Sequence, residues 1–114
     1  GLLSGKMTMD RVFGPNDLRS KSPYFTPENR RRAIDFCNRL RPIASSYGAS
    51  VAQLVINWTI NRPGVTAALV GARNASQAAE NAASADLKIS NDDAARVDEM
   101  VEEISLDLPA AQFA

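Results

Sequence analysis

Histidine is absent from this 114-residue chain, and cysteine occurs once, as Cys37. Without histidine there is no Ser–His or Cys–His nucleophile system within the chain, and the two shortages together leave no metal-ligand constellation. A single cysteine forms no internal disulfide. It falls on the apolar side of a helical pattern, so it reads as a buried thiol rather than a reactive one, and it suits a reducing cytoplasm. No apolar run approaches the ~20 residues that span a membrane, and no basic-then-apolar leader pattern is present. Formal charge is zero, yet residues 1–47 hold nine Lys/Arg against four Asp/Glu and residues 48–114 hold four against nine. Mutual docking of the two halves accounts for that asymmetry. The basic run Arg30-Arg31-Arg32 has no interleaved aromatics and lies near a helix start, which makes it a solvated helix face rather than a nucleic-acid surface.

What is present is an ordinary soluble composition, 45% hydrophobic and 23% charged, in a length that allows one modest domain. Residues 1–25, rich in Gly, Pro and polar side chains, read as a long irregular loop. Thr26-Pro27-Glu28 then opens a helix near 28–47: Thr26 caps, Pro27 suits the first position and Glu28 complements the dipole. Ile34, Cys37, Leu40, Ile43, Ala44 and Tyr47 form its apolar face, Pro42 should kink or split it after Leu40, and Gly48 stops it. Ser50-Val51-Ala52-Gln53 is a capping-box pattern for a helix near 50–61, with Val51, Leu54, Val55 and Trp58 buried and Trp58 as a core anchor. Ser90 to Asp93 opens a last helix near 91–104, with Asp98, Glu99, Glu102 and Glu103 on a solvated outer face. Residues 105–114 read as a tail that packs loosely or frays.

Between these lie Val65–Val70, a continuous apolar run of the kind seen in parallel strands buried on both faces. No second convincing strand accompanies it, so its backbone groups lack partners. The run is expected to pair across a chain interface or to be irregular. A helix near 75–84 follows, capped by Asn74 with Gln77 at its third position. The order strand, small-residue turn at Gly71, helix start suits an anion, because a helix N-terminus offers unpaired N–H groups and a positive dipole end. Arg73 adds a guanidinium fork, and Gln77, Glu80 and Asn81 place amides and a carboxylate beside it. Together they read as a pocket for a phosphorylated, adenine-bearing ligand. Capping and solvation of a short helix is the plainer reading of Gln77, Glu80 and Asn81.

The stretch from Gly71 to Asn81 resembles the last strand-to-helix turn of the aldo-keto reductases, NADP-dependent enzymes on a (β/α)8 barrel. It is similar to the branch containing bacterial aldo-keto reductases and potassium-channel β subunits. Gly1-Leu2-Leu3-Ser4-Gly5-Lys6 resembles the exit of strand seven, Asp17-Leu18-Arg19 and Phe25-Thr26-Pro27-Glu28-Asn29 its following loop, and Ser50 to Trp58 the helix before strand eight. The resemblance implies an α/β fold class: residues 1–104 as the C-terminal part of a TIM barrel, with its last strand and flanking helices, and 105–114 as a tail. As an isolated chain it is expected to be mainly α-helical. It also implies that Lys6 and Arg19 reach cofactor phosphate, that Gly71, Gln77, Glu80 and Asn81 border adenosine, and that Arg73 clamps the 2′-phosphate of NADP. The family's Asp, Tyr, Lys and His come from the first half of its barrel. Tyr24 and Tyr47 sit in the wrong motifs for its acid, so no catalytic residue is carried over.

Two functions follow. One is the cofactor-binding segment of an NADP-dependent carbonyl reductase, inactive by itself and completed by a missing N-terminal barrel portion or by another copy of itself. The other is a non-catalytic helical module that self-associates or binds a partner. Neither involves nucleic acid or membrane. The isolated chain is expected to associate rather than remain a monomer, because it lacks most of the cover for its apolar run.

Overall fold

The computed structural model describes residues 1–110. Its four α-helices are α1 (Pro27–Ser46), α2 (Val51–Ile60), α3 (Ala75–Ala83) and α4 (Asn91–Glu103), with single 3-10 turns at Leu18–Ser20, Pro23–Phe25 and Ser84–Asp86. Each helix begins at a side chain that accepts a backbone N–H otherwise without an intrahelical partner. Thr26 accepts from Asn29, Asn74 from Gln77 and Ser90 from Asp93. Ser50 accepts from Gln53 while the Gln53 side chain accepts the Ser50 N–H, a complete capping box. The end of α1 is equally defined. Ala49 N–H donates to Ala44 and Gly48 N–H to Ser45, both at 3.0 Å, with Gly48 at a φ of 64° that a side chain would resist.

The core lies where α1 meets α2 and α4. Phe36, Cys37, Leu40, Ile43 and Ala44 of α1 close on Val51 and Leu54 of α2 and Val97 of α4. Burial pushes the Cys37 thiol pKa up, as for a packing residue. Helix α1 runs on through Pro42, so it is not split after Leu40. Pro42 is exposed and lies in the last two turns of α1, where its missing N–H removes a single intrahelical bond. Trp58 is half-buried rather than a core anchor. It borders the core while its indole N–H donates to Asp98 at 2.7 Å. Asp98 also takes Arg62 at 2.7 Å and stays partly solvated, as expected, while tying α4 to α2.

Among the described residues there is no strand. Val65–Val70 is irregular, the second of the two outcomes expected for it, and it is exposed: Leu69 is fully accessible and Val70 is 47% accessible. Among the described residues nothing beside it offers a ladder of donors and acceptors. The tail is more firmly held than its sequence suggests. Asn29, with no solvent exposure, donates to the Pro23 carbonyl at 2.8 Å and the Asp107 carbonyl at 2.7 Å, and accepts the Asp107 N–H at 2.8 Å. Arg32 reaches the Ser105 carbonyl. Residues 111–114 of the tail lie outside the described residues.

Asn29 thus ties the loop before α1 to the segment after α4. Asn29→Ala leaves three backbone groups without their partner, and at about 1–3 kcal/mol per buried unsatisfied group a loss of roughly 2–4 kcal/mol is expected after partial rehydration. Denaturant unfolding of the two chains checks this; a loss below about 1 kcal/mol would contradict the buried tie.

Candidate functional site

The loop from Gly71 to Asn74 is folded back on α3 by its own side chains. The Gln77 side-chain oxygen accepts the Arg73 N–H at 2.9 Å, and the Asn81 amide donates to the Gly71 carbonyl at 3.2 Å. Asn74 accepts the Gln77 N–H at 2.9 Å. Ala75 and Ser76, at the first turn, have no intrahelical acceptor for their N–H groups. Helix α3 is in turn fastened to α2. Ser50 donates its hydroxyl to the Glu80 carboxylate at 3.1 Å, and the Gln53 amide donates to the Glu80 carbonyl at 3.0 Å. Gln77, Glu80 and Asn81 therefore all have structural work, in addition to any role toward a ligand.

These residues border a cleft of about 520 Å³. Gly71, Arg73, Gln77, Glu80 and Asn81 line it together with Lys6 and Arg19 of the N-terminal loop, so all seven residues singled out from sequence share one concavity. The floor is apolar, with Val55, Ile56 and Val70. Sequence reasoning missed Arg11, a fourth cation on the rim. No motif surrounds Arg11, and only the folding of the loop brings it there. Glu80 is the single carboxylate lining the cleft. Among the described residues Lys6, Arg11 and Arg73 have no carboxylate partner. Cations gathered with one carboxylate and an apolar floor suit a polyanion bearing a flat, apolar body.

The loop that brings Lys6 here is anchored at Gly5. Its φ is 73°, and a Cβ there would stand 3.2 Å from that of Val51, so glycine permits both the turn and the close approach to α2. Arg19 is fixed differently. Its Nε donates to both Asp17 oxygens, at 2.9 and 3.1 Å, and its guanidinium lies 4.6 Å from the Phe13 ring centroid. The guanidinium beside Asp17 holds that carboxyl down to about 2. The two tyrosines lie elsewhere. Tyr47 donates to Asp93 at 2.6 Å and accepts the Ser90 N–H at 3.0 Å, a tie between α1 and α4, and Tyr24 is exposed.

A model of the aldo/keto reductase family matches residues 1–102. The chain belongs to that family. It is 38% identical over 78 residues to Aldo-keto reductase YhdN of Bacillus subtilis, covering 68% of this chain and 24% of that protein. It is 30% identical over 102 residues to an NADH-specific methylglyoxal reductase of Escherichia coli, covering 90% and 31%. A probable voltage-gated potassium channel β subunit of rice is 34% identical over 85 residues, covering 71% and 25%. The chain thus spans between a quarter and a third of the length of these relatives. Aldo-keto reductases are oxidoreductases that generally use NAD(P)H, and the family's fold is a (β/α)8 barrel, of which this chain forms a small, mainly helical part.

Because the Asp17 pKa lies below its unfolded value of roughly 4, the Asp17–Arg19 pair contributes at and above pH 4 and is lost as pH falls toward 2. The Asp17 carboxyl carbon shift in NMR is expected to titrate with a midpoint of about 2. A midpoint near 4 would show that Arg19 is not locked on Asp17.

Proposed function

We propose that this chain supplies the phosphate- and adenosine-holding end of an aldo-keto reductase barrel, using NADP(H) to reduce aldehydes or ketones. The observation that carries the reading is the cleft lined by Arg73, Lys6 and Arg11, none with a carboxylate partner among the described residues, together with the start of α3. Arg73 takes the 2′-phosphate, because a guanidinium fork matches two phosphate oxygens. Lys6 and Arg19 take the bridging phosphates, with Arg11 beside them. Gln77 and Asn81 shape the adenosine wall, and Glu80 holds that wall against α2. When bound, the nicotinamide cofactor supplies the hydride. An N-terminal barrel portion brings the acid and covers Leu69 and Val70, which also pairs the backbone of Val65–Val70. The protein works in the cytoplasm.

The E. coli relative is named as NADH-specific, so the choice between the two cofactors is the sharp part of this reading. A charge-assisted hydrogen bond is worth about 1.5–3 kcal/mol, or roughly one to two decades in affinity. In the chain joined to its barrel, Arg73→Ala is expected to weaken NADPH by that factor and leave NADH nearly unchanged. Gln77→Ala and Asn81→Ala are expected to weaken both. Fluorescence titration of the two cofactors checks this; equal losses for both on Arg73→Ala would place Arg73 away from the 2′-phosphate.

A second reading, a non-catalytic module that self-associates through the exposed run ending at Val70, is favoured by the full accessibility of Leu69. It predicts that neither cofactor binds the joined protein, so the same titration separates the two.

A further inference from the structure

The four cations that line the cofactor cleft differ in how they are held. Among the described residues only the backbone atoms of Lys6, Arg11 and Arg73 enter hydrogen bonds, and all three side chains are exposed. Arg19 is different. Asp17 clamps its guanidinium: Nε donates to both carboxylate oxygens, and Nη2 donates to the second. The Phe13 ring packs against it, with the guanidinium carbon 4.6 Å from the ring centroid.

The clamp is itself fixed by the loop. Asp17 N–H donates to the Gly14 carbonyl at 3.0 Å, and the Asp17 carbonyl accepts the Ser20 N–H at 2.9 Å and the Ser20 hydroxyl at 2.7 Å. The carboxylate also caps the turn at Leu18–Ser20, accepting the Arg19 N–H at 3.0 Å. Phe13 is set edge to face on Phe25 at 5.5 Å. Arg30 departs from the solvated face expected of its run and donates to the Arg11 carbonyl at 2.7 Å, which fastens the loop to α1. An exposed local ion pair adds little to stability. What Asp17 changes most is the freedom of Arg19, whose side chain otherwise carries a large rotamer entropy.

An arginine has five N–H donors in a planar fork. Asp17 takes the edge made by Nε and Nη2. Nη1 has no partner among the described residues, and the Arg19 side chain is 40% accessible. Arg19 lines the cleft and Asp17 does not. The carboxylate thus holds one edge of the fork from outside the cleft and leaves the Nη1 edge for an acceptor within it. Resting on the cofactor reading of that cleft, we propose that Asp17 is a positioning residue for the bridging phosphates, acting through Arg19. It keeps the guanidinium in one orientation before cofactor arrives, which removes an ordering cost from binding.

The sign of one substitution separates positioning from charge. Asp17→Asn keeps an oxygen for the Arg19 N–H of the turn but cannot accept two guanidinium donors side by side. By charge alone, loss of a carboxylate beside a polyanion strengthens binding. By positioning, it weakens binding. In the chain joined to its barrel, Asp17→Asn is expected to weaken NADPH and NADH alike, by about three- to tenfold, because the bridging phosphates are common to both. In an Arg19→Gln background the same substitution is expected to cause no further loss. In NMR of the unsubstituted protein, the Arg19 Nε–Hε signal is expected to stay on Asp17 when NADPH is added, while the Nη signals move. Failure of the unsubstituted protein to bind either cofactor would sink the cofactor reading and this one together. Binding by that protein with unchanged or tighter affinity in Asp17→Asn, a further loss in the double variant, or an Nε–Hε signal that leaves Asp17 on binding would overturn the role of Asp17 alone.

Discussion

The cleft depends on one residue of α3, Glu80. Its carboxylate accepts from Ser50 and its carbonyl accepts from Gln53, the same two residues that cap α2. The far side of α2 is set in the core through Val51 and Leu54. Position therefore passes from core to α2, from the capping box to Glu80, and from α3 to the loop that carries Arg73. The rim opposite is positioned by the same helix, since Gly5 lies against Val51. Both rims of the cleft are measured from the start of α2, which is why a short, mainly helical chain can hold a shaped basic concavity without a sheet beneath it.

The segment leading into that cleft shows the limit of local structure. Val65–Val70 has the composition of a doubly buried strand, but strand backbone is stable only with neighbours to accept and donate. Among the described residues none is placed beside it, and it takes irregular backbone with Leu69 in solvent. Hydrophobic patterning states a demand for cover, and only tertiary context meets it. In a (β/α)8 barrel each strand is hydrogen-bonded on both edges.

Helix starts were legible because their chemistry is local. Thr26, Ser50, Asn74 and Ser90 are all recognisable as caps in sequence, and each accepts the expected N–H. The apolar periodicity of α1 was legible for the same reason, though it missed Phe36 and Ala33, which complete the buried face. The role of Asn29 was not legible: its partners include Asp107, 78 residues away, and an asparagine in a first helical turn normally faces water. Arg30 was assigned to a solvated face because its run lies near a helix start without interleaved aromatics, yet Phe13 and the Arg11 carbonyl draw it aside. Arg73 and Lys6 were found through the family's motifs, whereas Arg11 lies in no motif and reaches the cleft only through the path of its loop. Asp98 was placed on the outer face by helical spacing and is partly solvated there, but its bonds to Trp58 and Arg62 depend on a different helix and were not legible.

The central claim is that Arg73 and its neighbouring cations hold the phosphate end of a dinucleotide. Phosphorus NMR of NADP bound to the chain joined to its barrel reads that contact directly, since the 2′-phosphate has its own resonance, distinct from the pyrophosphate pair. The account predicts that the 2′-phosphate resonance moves on binding and stays dianionic to lower pH than in free cofactor, because a guanidinium favours the charged form. Movement of the pyrophosphate resonances alone, with the 2′-phosphate titrating as in free solution, would contradict it.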